Sequence, residues 1–126
     1  MNKEWIDATN AGDVSRVRAL WVAGADIDAL DKYGQTALMN AAHRGDTGLV
    51  QVLVQLGANL DHAAKYRLTA LMLAVIAERH DAVRVLVAAG ADRGIRGSRG
   101  SFACTPLEYA EAHGKVALAS ILRNGT

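Results

Sequence analysis

A three-residue phrase returns along the chain at a fixed step. Gly24-Ala25-Asp26 recurs as Gly57-Ala58-Asn59 and again as Gly90-Ala91-Asp92, 33 residues later each time. The same step carries Val17 and Leu20 onto Val50 and Leu53, then onto Val83 and Leu86. Gly12-Asp13 matches Gly45-Asp46, and Thr36-Ala37-Leu38 matches Thr69-Ala70-Leu71 after 33 residues and Thr105-Pro106-Leu107 after a further 36. Agreement of so many positions in one register restricts the chain to an array of short, similar units. A unit of this size cannot bury its own apolar flank, so neighbouring units must stack to do it.

Within each period the pattern is helical. Leu49, Val50, Val52, Leu53, Val54 and Leu56 make one broad apolar face. Ala37, Leu38, Ala41 and Ala42 make a shorter helix whose small residues let a neighbour approach closely. Gly45 and Gly57 follow the two helices, where a left-handed residue ends a helix at least cost. Asp46 is placed to cap the second helix, and Thr36, Thr69 and Thr105 to cap the first helices of their units. Pro106 suits a first helical position, where no N–H is needed.

These residues resemble the ankyrin-repeat family. The fullest copy of its pattern runs Asp31-Lys32-Tyr33-Gly34-Gln35-Thr36-Ala37-Leu38-Met39-Asn40-Ala41-Ala42, continues through Gly45 and closes on Gly57-Ala58-Asn59. The resemblance covers essentially the whole chain. It implies an all-α solenoid of four stacked helix–turn–helix units with short turn or hairpin tips. One domain, residues 1–126, would divide into units at about 1–30, 31–63, 64–99 and 100–126, the first and last being caps. The chain then reads as a complete array. Met39, Met72 and Glu108 stand where the family carries a histidine, so that residue's hydrogen bonds are missing. Arg67 replaces a turn glycine and Glu78 an inter-helix glycine. The expectation is an irregular junction at Glu78-Arg79-His80, with Asp81 as a candidate cap. Trp5, Ile6 and Ala8 should face inward, and Trp21 should fill the core of the second-helix layer.

Composition narrows the function classes. No apolar run reaches the roughly 18 residues that span a bilayer, and the acidic start Met1-Asn2-Lys3-Glu4-Trp5-Ile6-Asp7 is no secretory signal. Cys104 is the sole cysteine, so a reducing, cytoplasmic setting is expected. Residues 1–63 hold five Lys/Arg and eight Asp/Glu, net −3, whereas residues 64–126 hold nine and five, net +4, which sum to the overall +1. That imbalance is too mild to announce nucleic acid.

No metal-ligand spacing links the four histidines, and neither a phosphate loop, a dinucleotide fingerprint nor a Gly-x-Ser-x-Gly elbow occurs. Catalytic residues, metal ligands and cofactors are therefore expected to be absent. Cys104 and His113 fall on one side of the fourth unit, where a thiol–imidazole contact is conceivable. A surface histidine beside a small turn residue is the plainer reading.

The resemblance implies binding through a concave groove lined by turn tips and first helices. Mapped by phase, the second unit offers Lys32, Tyr33, Gln35, His43 and Arg44. The third offers Lys65, Tyr66, Leu68 and Ile76, and the fourth Phe102 and His113. The first unit adds only Asn10 and Ala11. Tyr33, Tyr66 and Phe102 fall at one equivalent turn position, beside Lys32, Arg44 and Lys65. Such a surface suits a protein partner of acidic or mixed charge, met by a monomer acting as an adaptor or regulator. The alternative is a polyanion or nucleic-acid contact through the Gly-rich basic segment around 93–99, expected to be mobile, and through the C-terminal half.

Overall fold

The computed structural model describes residues 2–125. Eight helices follow in pairs: α1 (Lys3–Ala11) with α2 (Val14–Val22), α3 (Ala37–Arg44) with α4 (Thr47–Gln55), α5 (Ala70–Ile76) with α6 (His80–Ala88), and α7 (Pro106–Ala112) with α8 (Val116–Asn124). No strand occurs among the described residues. The first helices of the pairs form an inner row and the second helices an outer row. Four helix–turn–helix units therefore stack into an all-α solenoid.

The core runs unbroken between the rows. Leu38, Leu49, Leu53, Leu71, Leu86 and Leu118 are buried there, and the small Ala41, Ala42 and Ala74 let the inner helices touch. Met39 and Met72 are buried as well, so thioethers occupy the places of the missing histidines. Trp5 and Ala8 are buried and Ile6 is half-buried, as their helical phase requires.

Capping follows the sequence closely. The hydroxyls of Thr36, Thr69 and Thr105 accept from the N–H groups of Met39, Met72 and Glu108, and Asp46 accepts from Leu49. Glu108 returns the bond to the Thr105 N–H at 2.9 Å, which completes a capping box behind Pro106.

Three expectations need correction. The junction at Glu78 is regular: Glu78 itself adopts φ +59°, the left-handed state that Gly12, Gly45 and Gly114 adopt elsewhere. The Arg79 N–H reaches the Ala74 carbonyl just as the Asp46 N–H reaches Ala41, so stacking imposes the shared turn on a residue that resists it. Asp81 is not the cap; Arg79 is, without a side-chain bond, and Asp81 pairs with Arg84 at 2.8 Å. Trp21 is not core: it is 40% exposed, because α2 packs on α1 of its own unit and on α4 of the next, with no described unit on its other flank.

Polar links also join unit to unit. Asp28 accepts from the Asn59 N–H and Asp61 from the Asp92 N–H, both at 2.8 Å. Arg44 donates to the Thr9 carbonyl, Arg79 to the His43 carbonyl, and Lys115 pairs with Glu78. The last pair holds the Glu78 carboxyl below its ordinary range, through the hydrogen bond and charge of Lys115.

Candidate functional site

The turn tips of the second and third units are short main-chain loops that share one pair of closing hydrogen bonds. In the second unit the Asp31 N–H donates to the Gln35 carbonyl and the Gly34 N–H to the Asp31 carbonyl. The Asp31 carboxylate then accepts from the N–H groups of Tyr33 and Gln35 and from the Asn40 amide. Burial pushes the Asp31 carboxyl up, but those three donors and the Lys32 charge outweigh it and hold the group below its usual range. The result is a stiff platform from which Tyr33 projects, 70% exposed, with the Lys32 ammonium 5.2 Å from its ring centre.

Two hollows meet at Tyr33. One, about 630 Å³, is lined by Ile6, Asn10, Leu30, Asp31, Lys32 and Tyr33. The other, about 480 Å³, shares Asn10, Asp31 and Tyr33 and adds Asn40, His43, Arg44, Ala77 and Arg79. His43 and Arg44 are exposed at the end of α3, and Arg44 also lies 3.7 Å from the Asp46 carboxylate. Gln35 is half-buried and serves the turn through its main chain.

In the third unit the turn is the 3₁₀ segment Lys65–Arg67, and both Tyr66 and Arg67 take left-handed backbone, φ +62° and +58°. Its two closing bonds, Ala64 N–H to Leu68 carbonyl and Arg67 N–H to Ala64 carbonyl, copy those of the second unit. Tyr66 is 36% exposed, half as open as Tyr33. Leu68 is half-buried against the core and Ile76 half-buried at the end of α5, so neither offers a free apolar patch.

In the fourth unit Phe102 is half-buried, its ring 6.0 Å from that of Tyr109. His113 is exposed, stacks on Tyr109 at 4.1 Å and bonds the Tyr109 carbonyl through Nδ1. The Cys104 thiol faces the Ser101 carbonyl at 3.4 Å, and burial, with help from Glu108, pushes its pKa up. The structure therefore does not bring Cys104 and His113 together, and an unactivated thiol is a poor nucleophile. No set of three metal-ligating side chains gathers among the described residues.

The basic loop is tied down rather than free. Ser98 N–H donates to the Tyr66 carbonyl, Gly97 N–H to the Cys104 carbonyl, and Arg93 to the Leu122 carbonyl. Arg96 pairs with Glu108 at 2.8 Å. A side chain at Gly97 would strike the Phe102 carbonyl oxygen, 2.0 Å from a Cβ placed there.

Sequence reasoning missed Ile6, Leu30, Asn40 and Arg79 as lining residues. Leu30 and Ile6 gave an apolar signal but no turn phase. Arg79 aligns with a helix cap and reaches the groove only through its length. Tyr109, the ring that gathers Phe102 and His113, was likewise invisible in the repeat.

A family model described as ankyrin repeats, in three copies, matches residues 5–97. None of the curated proteins compared with the chain matches it significantly. Ankyrin repeats are in general protein–protein interaction modules. No described helix is long and apolar enough to cross a membrane. The match spans most of the chain and covers the first three of the four stacked helix pairs, so this protein belongs to the ankyrin-repeat family.

Proposed function

We propose that the chain is a non-catalytic adaptor or regulator that holds a partner protein on its inner side, across the second-unit turn and the two hollows beside it. The observation that carries this reading is Tyr33, an aromatic ring 70% exposed on a turn that Asp31 fixes with three hydrogen bonds. A rigid amphipathic ring loses little entropy on binding, and Tyr is among the residues that most often dominate interfaces. Lys32, His43 and Arg44 around it favour a partner of acidic or mixed surface. The protein works as a monomer in a reducing compartment such as the cytoplasm, which suits its lone Cys104.

Affinity capture from the native cell tests this with wild type and Tyr33→Ala, both checked for helix content. A protein held by the wild type and lost by the folded variant is the expected result. Undiminished capture by Tyr33→Ala removes the groove assignment. The polyanion alternative is left with fewer cations than its sequence suggests, since Arg93 and Arg96 are already engaged.

A further inference from the structure

Three exposed cations, Lys65, Arg67 and Arg99, have no carboxylate partner within ion-pair reach among the described residues. Two of them share one ring. The Lys65 ammonium lies 5.0 Å and the Arg99 guanidinium 5.7 Å from the centre of Tyr66. They come from loops far apart in sequence, joined by the Ser98 N–H on the Tyr66 carbonyl at 2.8 Å. Cation–π attraction holds each cation to the ring, yet the cations repel each other, and an anion between them would relieve that repulsion.

Backbone strain lies at the same place. Tyr66 and Arg67 both sit left-handed, where the second unit uses Gly34 at φ +75°. The fold keeps two unfavourable backbone states here and presents an aromatic ring and a guanidinium in return. Strain of this kind is characteristic of binding positions.

We propose that the Lys65–Arg67 turn and the 97–101 loop form a preassembled docking point for an acidic peptide segment. This deepens the reading above by assigning the acidic part of the partner to a second contact, separate from Tyr33. A peptide fits better than nucleic acid. The cluster is compact rather than a stripe that could follow a phosphate backbone, and the cations already occupy the ring on which a base would have to stack.

The test is fluorescence anisotropy with a labelled oligoglutamate peptide, alongside amide chemical-shift mapping on the whole chain. Wild type should bind in a salt-sensitive manner, with shifts centred on residues 65–68 and 97–101. Arg99→Glu should weaken binding about tenfold, the charge being reversed rather than removed. Arg67→Gly should weaken it about threefold while raising the melting temperature, because glycine accepts the left-handed turn. Loss of binding together with a gain in stability rules out unfolding as the cause. Tyr33→Ala should bind the peptide as wild type does. The proposal is overturned by no binding, by shifts centred on Tyr33 and His43, by full affinity in Arg67→Gly, or by tighter binding of oligothymidylate. Partner capture that depends on Tyr33 while oligoglutamate goes unbound would sink this docking point and leave the groove intact.

Discussion

The second and third turn tips share one main-chain shape and reach it by different means. Both close with the same pair of hydrogen bonds. The second relies on a glycine at the left-handed position and on a carboxylate that gathers three donors. The third has Ala64 in place of Asp31 and forces two non-glycine residues left-handed. One tip is held from within. The other is held from outside, by the helices on either side and by Ser98 of the next loop. Stacking thus sets the backbone, and the tips remain free to carry different chemistry.

The sharpest way to break this comparison is in the core beneath the tips. Leu38→Ala and Leu71→Ala empty equivalent, fully buried sites, and each should cost about 2–5 kcal/mol in urea unfolding. Similar losses are expected, since the tips differ and the stacking does not; a loss confined to one site would mean the units fold unlike each other.

Asp31→Ala should cost about 2 kcal/mol, since three donors lose their acceptor. The Asp31 carboxyl titrates lower in the folded chain than in the unfolded one, so its contribution is present above the unfolded value. It is lost as pH falls through the folded value. The gap between wild type and Asp31→Ala should therefore be full at neutral pH and shrink in acid, which melting curves across that range would reveal. A gap that does not change with pH would mean that charge plays no part in the anchor.

Arg67→Gly should stabilise by about 1 kcal/mol, the relief of one strained residue. A destabilised variant would show that the third tip is not under strain. The smallest effect belongs to Glu78→Gly, which removes a left-handed side chain and also the exposed pair with Lys115. A slight rise in melting temperature is expected, because exposed pairs contribute little. A fall would mean that the Lys115 link outweighs the backbone cost.

The repeat made the stack legible. Thr36, Thr69, Thr105 and Asp46 cap the helices their spacing assigned them, because capping depends on residues three positions apart. What stayed hidden depends on neighbours distant in sequence. Nothing local to Glu78 says that stacking will hold it left-handed. The phase of Trp21 matches Val54 and Val87, but only those two have units on both sides. The 93–102 segment reads as slack because of its glycines, and its anchors lie on Tyr66, Cys104, Glu108 and Leu122. At the candidate site, phase located Tyr33, His43 and Arg44 on the inner side, yet only packing separates an open Tyr33 from a Phe102 turned against Tyr109.

The two tryptophans give the molecule a built-in optical gauge. Trp5 is 2% exposed and Trp21 40%, so one indole emits from an oily setting and the other largely from water. Any body that settles over the open flank of α2 must shift the red-edge emission toward the blue and shield it from iodide. A ligand confined to the turn tips would leave both signals unchanged. The colour of the emitted light alone thus reports which side of the protein has been covered.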